Sequence, residues 1–174
     1  MPTHLRRRWY AVALALPVGI ASLTAASNTR SIPPAISQQA AESPVVGTWD
    51  LVSVSTRWAN GRITEPWGRR PIGRMSYGSD GRMSALLMDG RRNQANGRAV
   101  PADMLASAAS YYGTYSIDTV RRVITHKVVA SLRATEAGTL ERGYVVQGDT
   151  LMLTQNATFD GTPITHRLLL RRSE

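Results

Sequence analysis

The chain has 174 residues and a formal net charge of +9 at pH 7, and it contains no cysteine. The absence of cysteine excludes disulfide bonds, thiolate-bound metals and thiol nucleophiles. Lys127 is the only lysine among 21 basic residues, a bias more typical of genomic base composition than of phosphate recognition. The arginines are spread along the chain, whereas a nucleic-acid footprint concentrates them on one face. We therefore expect no nucleic-acid partner, although a positive surface favours weak contact with anionic membrane surfaces.

Residues 1–26 have the pattern of a signal peptide. Residues 6–8 are three arginines, residues 9–23 are largely apolar, and small residues follow at 24–27. The apolar run is short for a membrane-spanning helix of about 20 residues, and Pro17 interrupts it. We expect a signal helix that directs export to the periplasm or the medium and is then removed. An uncleaved membrane anchor is the alternative.

Residues 27–45 are rich in Ser, Gln and Ala, include Pro33 and Pro34, and show little hydrophobic periodicity. Segments of this composition form flexible linkers. The folded domain is therefore expected over residues 46–174.

Eight short runs of strand type follow within the domain. The first covers residues 47–58, and the turn signal Asn60-Gly61 comes directly after it. Residues 63–71 are rich in Pro, Gly and Arg and predict a loop. The other seven predicted strands, separated by further turn signals, are 72–77, 82–88, 111–117, 123–132, 139–146, 151–155 and 162–170.

Residues 101–110 form the one predicted helix of the domain. Pro101 suits the first helical position, and Asp103 suits the first turn. The apolar side of this segment consists of Met104, Leu105, Ala108 and Ala109. A helix this short needs to pack against the rest of the domain to persist.

The spacing of the strands predicts an all-β fold. Short turns between consecutive strands imply that neighbours pair, since a parallel crossover needs a dozen or more residues. An open sheet would expose two edges, and closure removes them. We predict an eight-stranded antiparallel up-and-down barrel with one short helix. A barrel of this size either holds one small molecule or is filled by side chains.

Six segments of the domain, taken in their order and spacing, resemble the lipocalin-like domain family of bacteria and fungi. They are Gly47–Ser53, Pro71–Tyr77, Asp80–Ser84, Tyr112–Asp118, Val123–Val128 and Gly148–Leu151. The resemblance covers nearly all of residues 46–171. It implies a single-domain, calycin-type barrel for which small apolar ligands are the usual inference. The loop Arg133–Gly138 departs from the family because it has no aromatic residue.

The resemblance also implies a structural role for Trp49. In lipocalins the tryptophan of the Gly-x-Trp motif closes one end of the barrel, and an arginine late in the chain packs across its ring. Here the arginine is expected to be Arg167, or alternatively Arg171, through a guanidinium–aromatic contact.

Two histidines lie on apolar strand faces. His166 alternates with Ile164, Leu168 and Leu170, and His126 shares a predicted face with Ile124, Val128, Ala130 and Leu132. Alternation predicts that both point into the barrel, either as hydrogen-bonded core residues or as polar anchors for a ligand. A zinc pair is a weaker alternative because no carboxylate is placed beside them. We expect no metal and no cofactor.

Arg142 lies in line with Leu140, Tyr144 and Val146, and this face is expected to point inward, although the opposite face is the alternative. An inward arginine requires a carboxylate from the protein or from a ligand. Tyrosines on the strands supply amphipathic surface. The predicted ligand-binding residues are His126, Arg142, His166, Tyr77, Tyr115 and Tyr144.

The favoured interpretation is an exported protein that binds a small apolar or amphipathic molecule in the barrel. One alternative is a non-catalytic structural or partner-binding module that uses the Arg-rich loop 61–74. A less favoured one is a cyclase or isomerase with His126 or His166 as base and Arg142 holding an anion. Nothing in the sequence demands catalysis, and no catalytic residue is assigned.

Overall fold

The computed structural model describes residues 43–95 and 107–174 of the chain. The described residues form antiparallel strands joined by short turns, with 3-10 turns at Gly90–Ala95 and Ala134–Glu136. The strands are β1 Gly47–Trp58, β2 Ile63–Thr64, β3 Pro71–Tyr77, β4 Arg82–Asp89, β5 Ala108–Asp118, β6 Val123–Ser131, β7 Gly138–Gln147, β8 Thr150–Phe159 and β9 Thr162–Arg172.

The sheet closes on itself. Strands β3 to β9 follow one another in order, β1 pairs with β3 on one side, and β1 also pairs with β9. The two-residue strand β2 extends the sheet only at the end of β1, where Thr56 lies opposite Thr64. Eight strands therefore build the wall, which confirms the predicted barrel. Closure satisfies the backbone groups that an open sheet would leave exposed at its edges.

The predicted helix over residues 101–110 is wrong at its carboxyl end. Ala108 and Ala109 begin β5, pair with Met88 and Leu87 of β4, and are buried. Pairing with β4 and burial override the weak local helix signal. Residues 101–106 lie outside the described residues, as do the predicted signal helix and the predicted linker up to residue 42. Within the described ranges, no helix has the length and apolar character needed to span a bilayer.

A bulge in β1 changes which side chains face the interior. Between Leu51 and Ser53 the pairing with β9 shifts by one residue, and Val52 is left 40% exposed. Trp49 and Leu51 are buried before the bulge, and Val54 is buried after it. Strict alternation would have placed Val54 outside. The extra residue of the bulge returns the second half of the strand to the core.

A second bulge lies in β6. Tyr112 of β5 pairs with Ala130 and the next residue, Gly113, pairs with Val128, so Val129 has no partner of its own. The prediction that Ala130 and Leu132 share the inner face of His126 is therefore wrong, and both are exposed. The reversal follows because one inserted residue exchanges the two faces of a strand.

One end of the barrel is closed by a tryptophan and an arginine. Trp49 is fully buried, and its Nε1 donates a hydrogen bond of 2.8 Å to the Val45 carbonyl. The guanidinium carbon of Arg172 lies 4.2 Å from the centroid of the Trp49 ring. Its two terminal nitrogens donate to the carbonyls of Val46, at 3.0 Å, and Pro44, at 2.9 Å. The arginine therefore ties the segment that enters β1 to the barrel.

The position over the Trp49 ring belongs to Arg172 and not to Arg167, the residue expected from the resemblance. Arg167 and the alternative Arg171 are both exposed. Strand β9 runs two residues further than predicted, and Arg172 is the direct cross-strand partner of Trp49. Gly47 has a φ of +135°, and a side chain there would meet Arg172 Nη1 at 2.5 Å. The glycine of the Gly-x-Trp motif therefore makes room for this arginine.

We expect the substitution Arg172→Ala to lower the free energy of unfolding by about 2 kcal/mol, since it removes a cation–π contact and two charged hydrogen bonds. Urea unfolding followed by tryptophan fluorescence measures the change. Arg171→Ala, which removes the exposed neighbour, is the matched control and is expected to cost less than about 0.5 kcal/mol. Equal losses for the two variants would contradict a special role for Arg172.

Candidate functional site

The end of the barrel away from Trp49 contains a cavity of about 340 Å³. Arg133, Glu136, Pro66 and Trp67 border it from the connecting segments. Its apolar wall, contributed by the strands, consists of Val54, Leu87, Ala109, Leu140, Ala157 and Leu168. The volume is within the range of small-molecule sites, which are mostly apolar with a few placed polar groups.

Two of the other depressions, of about 560 and 630 Å³, are clearly larger and involve other parts of the surface. The first includes the exposed side chains of Leu86, Tyr112 and Leu132 on the outside of the sheet. The second lies between Arg69 and Arg91 in the loops. The interior cavity is the stronger candidate because Arg142, Gln155 and His166 converge on it. The buried carboxylate beside the second depression, Asp89, is already paired with Arg91.

Arg142 is the most deeply buried charged group of this cavity. It extends inward from β7 and is 8% exposed. Its Nη1 donates a hydrogen bond of 2.9 Å to Gln155 Oε1, and its Nη2 makes a long contact of 3.5 Å to the Tyr111 hydroxyl. Its Nε is buried and has no hydrogen-bond acceptor. Among the described residues, Arg142 takes part in no ion pair.

A polar chain runs from Arg142 into the core. His126 is fully buried, with its Nδ1 3.4 Å from the Tyr111 hydroxyl and its Nε2 2.9 Å from the Tyr77 hydroxyl. A guanidinium can only donate, so the Tyr111 oxygen accepts from Arg142. The His126 imidazole joins the hydroxyls of Tyr111 and Tyr77, and the polar chain thus links Arg142 to the core.

Three residues of this polar chain, His126, Tyr77 and Tyr111, are uncharged at neutral pH. Burial lowers the pKa of His126 to about 3, and the positive charge of Arg142 adds to the effect. Burial also raises the pKa of Tyr77 well above its usual value, and it raises the pKa of Tyr111. The positive charge of Arg142 is therefore not compensated by any of its aromatic neighbours.

His166 lines the same cavity from β9. Its Nδ1 lies 2.9 Å from the hydroxyl of Thr56, a residue buried after the bulge of β1. Burial, followed by the charge of Arg142, lowers the pKa of His166. A neutral imidazole beside Arg142 is suited to hydrogen bonding with a ligand, since it can donate or accept.

The structure brings together two of the six residues predicted to bind a ligand. Arg142 and His166 line the cavity, whereas His126 and Tyr77 lie behind Tyr111 in the polar chain. The other two are also outside the lining. The Tyr115 hydroxyl donates 2.8 Å to the Gly78 carbonyl, and Tyr144 is half-buried against the core. Ligand contact by any of the six stays a prediction.

Two polar residues that line the site from the strands were missed in the sequence. Tyr111 shares the inner face of β5 with Gly113 and Tyr115, and alternation back from Tyr115 would have found it. Gln155 follows Leu151 and Leu153 on the inner face of β8. A lone polar residue continuing an apolar alternation is the signal that would have indicated it.

The described residues contain no group of three or more His, Asp or Glu side chains arranged to hold a metal ion. Only one of the two candidate histidines, His166, lines the cavity. Of the two histidines named for the cyclase or isomerase alternative, only His166 therefore shares the cavity with Arg142, and that alternative stays a prediction.

The chain was compared with known proteins. A family model described as a lipocalin-like domain matches residues 46–171. This range contains strands β1 to β8 in full and all of β9 except its last residue, Arg172. A search of curated proteins found no match to the chain.

Proposed function

Because the chain belongs to the lipocalin-like domain family, we propose that it binds a small apolar or amphipathic molecule inside its barrel. The observation that supports this most is the interior cavity of about 340 Å³, with an aliphatic wall and a few buried polar groups. Export to the periplasm or the medium is part of the proposal. It rests on the arginine-rich start and apolar run of residues 1–26.

The size of the cavity limits the ligand. At about 30 Å³ per non-hydrogen atom, which is the share of one water in the liquid, the space holds roughly 11 such atoms. Transfer of a hydrocarbon tail from water to this wall is favourable by about 0.8 kcal/mol for each buried methylene. An eight-carbon tail with one polar end is of this size, so 1-octanol is a suitable neutral probe.

We expect the substitution Ala157→Phe to weaken the binding of 1-octanol at least tenfold. Ala157 lies on the inner face of β8 and lines the cavity. The added ring occupies roughly half of the cavity volume, at the same share of about 30 Å³ per atom. Isothermal titration calorimetry on the purified chain measures the affinity, and native mass spectrometry gives the number of molecules bound.

Ala130→Phe is the matched control, because it makes the same change in composition at a position that is exposed on the outside of β6. We expect it to bind 1-octanol as the unsubstituted chain does. If the unsubstituted chain takes up no 1-octanol and no other apolar probe of this size, the proposed function is wrong. Equal weakening by both substitutions would place the binding outside the barrel.

The Arg-rich loop 61–74 gives less support to the alternative function, in which the protein binds a partner through this loop. Arg62 stacks over the ring of Trp58, with its guanidinium carbon 4.6 Å from the centroid, and Arg69 and Arg70 are exposed. Exposed arginines favour anionic surfaces through long-range attraction that salt screens. Contact with an anionic membrane surface stays a prediction beside the main proposal.

A further inference from the structure

One charge in the barrel has no partner of opposite charge among the described residues. Arg142 is more than nine-tenths buried, and its two hydrogen-bond partners, Gln155 and Tyr111, are neutral groups. Its Nε has no acceptor. A buried charge without a counter-ion is strongly disfavoured. The cavity that Arg142 lines is the space from which a counter-ion can reach it.

Glu136 is the one carboxylate among the described residues that line the cavity, but it is held elsewhere. It accepts a hydrogen bond of 3.0 Å from the Ser131 hydroxyl and lies 3.9 Å from Arg133 Nη1. The counter-ion of Arg142 is therefore expected to come from outside the described residues.

We propose that the ligand is a monoanionic amphipathic acid whose carboxylate pairs with Arg142. Its apolar body lies against the aliphatic wall that includes Leu140 and Leu168. This inference rests on the proposed function. A guanidinium recognises a carboxylate through parallel N–H donors, and Gln155 and His166 add polar groups at the same place. The aliphatic wall selects against small hydrophilic anions, which gain nothing from burial there.

The test compares three ligands that share one tail and differ in their head group: octanoate, 1-octanol and octylammonium. Calorimetric titration of the purified chain at pH 7.5 gives the three dissociation constants. We expect octanoate to bind roughly tenfold to hundredfold more tightly than 1-octanol, which is the usual worth of a charged hydrogen bond. Octylammonium is expected to bind most weakly, because it would bring a second positive charge to Arg142.

The variant Arg142→Met should remove the preference for octanoate over 1-octanol. Replacement of a buried charge by an apolar side chain of similar length is often neutral or stabilising, so this variant is expected to fold. Arg171→Met is the control, since it makes the same change in net charge at an exposed position on the outside of β9. It should keep the full preference.

Each outcome separates the inference from the function on which it rests. If octanoate and 1-octanol bind equally well, the carboxylate assignment is overturned and the proposed function stands. The same holds if Arg142→Met keeps the preference, or if octylammonium binds best, which would assign recognition to Glu136. If none of the three binds, the proposed function itself is overturned. Should Arg142→Met fail to fold, the comparison of the three ligands on the unsubstituted chain decides alone.

Discussion

Replacement of Trp49 by alanine should lower the free energy of unfolding by about 3–5 kcal/mol, the usual cost of removing a buried tryptophan from a core. The ring is fully buried, donates to the Val45 carbonyl and lies under the guanidinium of Arg172. Its loss leaves a cavity at the closed end of the barrel and an arginine without its aromatic surface. Urea unfolding monitored by circular dichroism measures the effect.

Trp58→Ala is the matched control for this prediction. Trp58 is half-buried near the other end of β1, where its Nε1 donates to Thr64 and its ring meets Phe159 edge-on. We expect a clearly smaller loss there, because less apolar surface returns to water. A loss for Trp49→Ala within 1 kcal/mol of zero would show that the closed end of the barrel does not depend on this residue.

Acidification should destabilise the barrel through His126. The folded state holds this imidazole neutral with a pKa of about 3, whereas the unfolded chain protonates it below its ordinary value of 6.5. Between these two values the unfolded state binds more protons, so the free energy of unfolding falls as the pH falls. At 1.36 kcal/mol per unit, the contribution lost between pH 7 and pH 3 is roughly 4 kcal/mol.

The variant His126→Gln isolates this contribution. Glutamine keeps a donor near Tyr77 but cannot take up a proton. The variant should be less stable than the unsubstituted chain at pH 7, and the gap should narrow steadily toward pH 3. Asp89 and His166, whose pKa values are also lowered, destabilise both proteins on acidification and cancel in the difference. Urea unfolding at a series of pH values provides the comparison, and parallel curves from pH 7 to pH 4 would contradict it.

Local patterns in the sequence were sufficient for the existence and order of the eight strands of the wall, whereas the two-residue strand β2 lies in a segment predicted as a loop. The first strand, residues 47–58, agrees with its prediction at both ends, and the other seven differ only in length. Alternation and turn dipeptides are short-range signals, and consecutive strands with short connections have few ways to pair. The predicted helix was wrong where pairing with β4 outweighed it, at Ala108 and Ala109.

The site was only partly predictable, because the alternation of side chains gives only the face of the strand on which a residue lies. Alternation placed Arg142 and His166 on inner faces, and both line the cavity. It gave His126 an inner face as well, and Tyr77 and Tyr115 were predicted to bind the ligand, but all three are buried away from the lining. A face does not specify depth along the barrel. Depth depends on the register between strands that are distant in sequence, such as β1 and β9.

The sequence by itself determined a closed antiparallel barrel that begins at a Gly-x-Trp motif, and it favoured an inward face for Arg142 over the opposite one. Only the tertiary structure decided that Arg172 covers Trp49, that bulges at Val52 and Val129 exchange the faces of two strands, and that one end of the barrel contains a cavity. These features arise from pairing and packing between residues more than 100 positions apart or across bulged neighbours, and no local pattern of side chains encodes them.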